Sequence, residues 1–160
     1  FKSTDDGVVD SPKGVLSWKD SAPWEENVFK PQVTVKNTGT IALKDYHAKL
    51  WFRVPEGKTL YIPADDWYTP VSNPSLKNIG ENVWELDMDF DTYILYPNES
   101  VIEGNIGLHL TDWSKFDKTV CGIALLDSEE NVIFGNIPSV GECKIYNSPS
   151  LLNVQYVWKN

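Results

Sequence analysis

The sequence is laid out as a series of short runs in which apolar residues are continuous or alternate with polar ones, each bounded by turn formers. Such runs make strands, because side chains point to opposite faces at successive positions, whereas a helix needs a longer stretch with apolar residues three and four apart. The most pronounced runs are Gln32-Val33-Thr34-Val35-Lys36 and Ala48-Lys49-Leu50-Trp51-Phe52-Arg53-Val54. Residues 59–62, 83–88, 101–110, 122–126, 132–134 and 152–158 follow the same rule, and no capped amphipathic stretch of helical length competes with them. Seven to ten such strands predict an all-β chain. The expected architecture is an antiparallel β-sandwich whose two sheets bury their inner faces, with closure into a barrel as the alternative. Asn37-Thr38-Gly39-Thr40 supplies residues tolerant of positive φ for a tight connection between the first two strands. The loop over 63–82 is long enough to carry function.

At 160 residues the chain is the size of one domain, so residues 1–160 are expected to share one core, with residues 1–12 as a mobile lead-in. Seven Trp, seven Tyr and six Phe supply the burial that a disordered chain lacks. A formal net charge of −9 disfavours nucleic acid and anionic membranes, both of which are engaged through clustered Lys and Arg. No stretch approaches the roughly 18 apolar residues of a transmembrane helix. Cys121 and Cys143 are too few and too far apart for a zinc site; they are read as one disulfide, which would imply an oxidising compartment, or as two buried thiols.

Catalytic constellations are sparse. The two histidines, His47 and His109, have no partners at triad or metalloprotease spacing, and His109 in an alternating run reads as a packed or surface histidine. Asp87, Asp89 and Asp91 fall at alternate positions and so share one face. That face is read as solvated, with calcium binding and glycosidase chemistry as alternatives. The aromatic residues say more. Trp51 and Trp84 sit in apolar runs and are expected in the core. Trp67-Tyr68 and Trp113 sit among acids and hydroxyls, in Asp65-Asp66-Trp67-Tyr68-Thr69 and Thr111-Asp112-Trp113-Ser114. Exposed rings beside polar groups suit sugars, whose axial C–H faces stack on an aromatic plane while their hydroxyls take hydrogen bonds.

Three ordered stretches resemble the family 3 carbohydrate-binding modules over about 28–138. They are residues 27–39, with a Pro31-Gln32 pair and Asn37-Thr38-Gly39; the aromatic strand Leu50-Trp51-Phe52-Arg53-Val54; and Asp112-Trp113-Ser114-Lys115-Phe116, preceded by a turn at Pro97. The resemblance implies a jelly-roll sandwich of about nine strands with an aromatic and polar strip on one sheet. In that strip Trp113 matches the family tryptophan, and Asp65, Asp66 and Trp67 match its acidic-aromatic pair. Tyr68 stands for the loop tyrosine, and Asp112 is a hydroxyl partner. Gly107 stands where the family has an arginine, which favours soluble or amorphous glucan over a flat crystalline face. The family's structural calcium would fall at Arg53, Glu56, Val120 and Cys121, a poor donor set, so no metal or other cofactor is expected, and the Arg53 guanidinium is expected in its place, paired to a carboxylate. Residues 139–160 extend beyond the family pattern, and a Cys121–Cys143 disulfide would staple them to the sandwich, contributing about 3 kcal/mol.

The function implied is a non-catalytic module, secreted or at the cell surface, that targets tethered catalytic or scaffold modules to cellulose or another plant cell-wall β-glucan, as in a cellulosome. Two alternatives differ in class: a structural or protein-interaction sandwich without sugar binding, and a small glycoside hydrolase.

Overall fold

Alternation along the strands decides which side chains meet in the middle. In β2 (Pro31–Asn37) Val33 and Val35 are buried while the residues between them are not, and in β3 (Tyr46–Arg53) Ala48, Leu50 and Phe52 turn inward. The computed structural model describes residues 10–63 and 70–145. The other described strands are β1 (Gly14–Asp20), β4 (Leu60–Tyr61), β5 (Asn73–Gly80), β6 (Val83–Phe90), β7 (Ser100–Glu103), β8 (His109–Leu110), β9 (Val120–Leu126) and β10 (Val132–Gly135), followed by one short helix, α1 (Val140–Ile145).

Among the described residues every strand pairing is antiparallel. One sheet has the order β10-β9-β3-β6-β5. The other joins β1-β2-β7 to β8-β4 through a bridge between Phe29 and Leu108. Between them Phe29 meets Phe52 edge-on at 5.4 Å and Trp18 at 6.1 Å, while Tyr46 stacks on Phe90 at 4.8 Å. Trp51 and Trp84 are both buried. The fold is the antiparallel β-sandwich expected from the sequence, and with β7 and β8 taken as halves of one interrupted strand the described residues hold nine.

Several local expectations differ from the structure. Residues 101–110 are not one strand: the chain leaves the ladder after Glu103 and returns only at Leu108. Gly104 opens the interruption, and a Cβ there would come within 2.9 Å of the Gln32 amide nitrogen. Residues 37–40 do not make a tight hairpin, because β2 and β3 lie in different sheets. Asn37, fully buried, instead steers the crossing: its Nδ2 donates to Ile41 O and Leu95 O, and its Oδ1 accepts from Gly39 N.

β1 and β5 give weak signals because each lies at the edge of its sheet. β5 carries Pro74, and an edge strand tolerates its missing donor. The helix α1 is short but capped: Ser139 Oγ accepts from Glu142 N, and Glu142 Oε1 accepts from Ser139 N. The expected strand over 152–158 lies outside the described residues, as do residues 1–9 of the lead-in.

The segment after β10 folds back over the outer face of the five-stranded sheet. Pro138 lies against Gly122, where a Cβ would come within 2.5 Å of its ring, and Cys143 is disulfide-bonded to Cys121. Trp51, Val83, Cys121, Ala124, Leu126 and Cys143 form a second buried cluster there. This explains why Trp51 is buried although its strand neighbours Lys49 and Arg53 point outward.

Candidate functional site

The pairing of β4 with β8 sets opposite residues side by side. Leu60 and Leu110 face the core, so Tyr61 and His109 face out from the sheet. Their rings meet edge-on at 5.2 Å. Beyond β8 the chain turns back at once, with Thr111 N donating to Thr59 O and Trp113 N to Leu110 O. Trp113 has φ 60, in the left-handed region that disfavours a large side chain. That backbone lays the indole flat on His109, with ring centroids 3.6 Å apart and planes 10° from parallel.

The result is a one-sided platform. His109 is only 6% exposed and closes one face of the indole, while Trp113 is 54% exposed. His109 Nδ1 lies 2.7 Å from Leu110 O; a carbonyl only accepts, so Nδ1 carries the proton and fixes the ring. Tyr61, also exposed, flanks the stack.

Asp112 holds the turn in shape. Its Oδ1 accepts from Ser114 N at 3.0 Å and Ser114 Oγ at 2.7 Å, and its Oδ2 is bonded to the Lys58 ammonium. Lys58 first, then Ser114, hold the Asp112 carboxyl well below the usual carboxylate range. Both oxygens are thus engaged within the protein, so Asp112 shapes the loop that presents Trp113.

Of the residues expected from the sequence, Asp112 and Trp113 come together here, whereas Asp65, Asp66, Trp67 and Tyr68 lie outside the described residues. The end of their loop is anchored: the fully buried Glu103 carboxylate accepts from Ser72 N and Ser72 Oγ, both at 2.6 Å. Tyr61 and His109 belong to the cluster but were not candidates. The register that pairs them is long-range, and only the alternation Leu108, Leu110 around His109 hints at its outward side.

Asp87 and Asp89 on β6 of the opposite sheet, and Asp91 in the turn after it, are not simply a solvated row. Asp87 accepts from His47 Nδ1 at 3.0 Å, Asp89 lies 3.9 Å from His47 Nε2, and Asp91 accepts from Asn73. Burial, opposed by His47 and reinforced by Asp91, Asp87 and Asp45, raises the Asp89 carboxyl above its usual range. Among the described residues no group of three or more His, Cys, Asp or Glu is placed to hold a metal.

Of the four positions expected from the sequence for a calcium, Arg53, Glu56, Val120 and Cys121, only Glu56 carries a carboxylate. Arg53 is a cation, Val120 is apolar, and Cys121 is spent in the disulfide, whereas calcium takes six to eight oxygens. The expected ion pair of Arg53 with a carboxylate is not formed among the described residues. Its Nη1 is buried without a hydrogen-bond partner.

No family model matches the chain, and no curated protein matches it in sequence. Solved structures do. The CBM3a-L domain of scaffoldin cipA from the cellulosome of Clostridium thermocellum aligns with a TM-score of 0.63 at 15% identity, over 82% of this chain and 95% of that one. A biomass-sensing module from Rsgi-like proteins of the same organism aligns at 0.62 and 15%, over 80% of this chain and all of its own. The CBM3b of scaffoldin ScaA from Acetivibrio cellulolyticus aligns at 0.59 and 17%, over 79% and 97%. At such identities the likeness is one of architecture, and the architecture this chain shares is the β-sandwich of the family 3 carbohydrate-binding modules, the fold to which its Asn37-Thr38-Gly39 and Asp112-Trp113-Ser114 motifs point.

Proposed function

We propose that the chain is a non-catalytic carbohydrate-binding module that holds an attached catalytic or scaffold module against a plant cell-wall β-glucan, cellulose or a related polymer, outside the cell. One observation carries this reading. The Trp113 indole stands exposed with one face sealed by His109 and the other open to solvent. An open, immobilised ring face is what a pyranose needs, since its C–H face loses water against the ring without the ring having to be ordered on binding. The neighbouring modules in scaffoldins and biomass-sensing proteins support the same reading.

Asp65, Asp66, Trp67 and Tyr68 enter the proposal as the polar and aromatic continuation of the platform. Asp112 serves it through the turn. The site works without calcium, so excess chelator is expected to leave the melting temperature unchanged.

The test is retention on insoluble cellulose together with affinity electrophoresis in soluble xyloglucan and β-glucan. Trp113→Ala is expected to weaken binding at least about tenfold, or about 1.4 kcal/mol. Full retention by that variant would sink the platform. Failure of the unmodified chain to bind any of these polymers would leave the protein-interaction sandwich as the better reading, and release of reducing sugar would restore the hydrolase.

A further inference from the structure

Trp24 is the most exposed large hydrophobic side chain among the described residues, at 74%. A bare indole forgoes most of the burial a tryptophan offers, so its loop should be disposable or its ring should have a use. The loop is anything but disposable. Ser21 N and Ser21 Oγ both donate to Lys30 O, Ala22 N donates to Asp20 Oδ1, and Glu25 N donates to Ala22 O.

At the centre of this loop sits Lys118. Its ammonium donates to Ala22 O at 3.1 Å, Glu25 O at 2.6 Å and Val28 O at 2.9 Å, and lies 2.8 Å from Asp20 Oδ2. With its side chain only 12% exposed, one charge satisfies four oxygens of the segment from Asp20 to Val28. The loop is therefore folded around a cation supplied by the chain, with Trp24 left outside.

Lys118 also follows the turn that carries Trp113. The two loops are joined directly: Phe116 N donates to Glu26 O, and Lys115 pairs with Glu26 at 2.8 Å. Phe29 and Leu108 are paired and both buried, so their neighbours Lys30 and His109 stand on the outer side of the sheet. Glu25, next to Trp24, pairs with Lys30 at 3.1 Å. The loop thus reaches the surface on which His109 supports Trp113.

We infer that Trp24 is a second stacking ring of the glucan-binding surface, locked beside the Trp113 turn by Lys118, and that it takes sugar units of a β-1,4-linked chain beyond those resting on Trp113. The inference rests on the reading of Trp113 as a sugar platform. It makes the site an extended one that selects long chains over short ones. Lys118 is a positioning residue for Trp24.

The test uses the full chain with cellotriose and cellohexaose as probes, followed by calorimetry. Trp24→Ala, a surface change whose fold near-ultraviolet circular dichroism verifies, is expected to weaken cellohexaose about tenfold and leave cellotriose within twofold. Trp24→Tyr is expected to restore most of the loss, and Trp113→Ala to weaken both probes. If Trp24→Ala binds cellohexaose like the unmodified chain while Trp113→Ala does not, the Trp24 assignment is overturned and the platform stands. If the unmodified chain binds neither probe, platform and assignment fall together.

Discussion

His109 gives the platform its plane, and its contribution can be separated from mere filling of space. Removing the ring frees the indole to turn about its side-chain bonds, and each such freedom must then be lost on binding. His109→Ala is expected to weaken glucan binding several-fold to about tenfold, and His109→Phe to retain most of the affinity because a flat ring still backs the indole. With only two histidines in the chain, the His109 ring protons are easily assigned, and their ring-current shift from Trp113 should vanish in Trp113→Ala. Asp89 tests the opposite sheet. A carboxyl raised in the folded state loses stability as pH rises through that value, so its penalty is fully present at neutral pH. Asp89→Asn is expected to raise the melting temperature at pH 7 by about 1–2 °C, a gain that fades below about pH 4, where Asp89 is protonated folded and unfolded alike. Trp113 was legible in the sequence because polar neighbours on both sides leave an indole nowhere to hide. His109 was not, since its partner arrives through a turn that needs left-handed backbone at a tryptophan, a conformation no propensity rule assigns there.

Among the elements, those with an apolar period were readable and those defined by their neighbours were not. β2, β3 and β6 announce themselves because one face of each lies in the core, whereas β5 is polar along most of its length and is a strand only because β6 offers it a ladder. The break between β7 and β8 falls at Gly104, against which the Gln32 side chain lies, a contact between distant parts of the chain. The segment from Pro138 to α1 is held by the disulfide, which closes a separation of 22 residues. Replacing both cysteines by alanine is expected to cost about 3 kcal/mol and lower the melting temperature by roughly 6–12 °C. Glucan binding should survive, because the staple and the Trp113 platform are on opposite sheets. Calorimetric melting beside a binding isotherm checks both halves. Gly122→Val should unseat Pro138 and destabilise the same segment with the disulfide intact, since valine has no room there.

For the molecule as a whole, the acidic balance and the neutral nature of the proposed ligand lead to a simple expectation. Stacking and hydrogen bonding to an uncharged polymer release no counterions, so affinity should change less than about twofold between low and moderate salt, and binding to duplex DNA should be absent. Retention measured across a salt series checks this; a steep decline would point to a charged ligand instead. The sandwich was legible at this scale because strand periodicity and aromatic content leave few other ways to bury so much ring surface. Which outer face the segment after β10 would cover was not, since that depends on contacts such as Pro138 against Gly122 and Cys143 with Cys121. The left-handed backbone at Trp113 also bears on descent. An L-residue with a bulky side chain sits there at a cost of about 1 kcal/mol that glycine would escape. In a lineage that ceased to meet its polymer, mutation would relax that residue early, and the indole would disappear long before the sandwich around it.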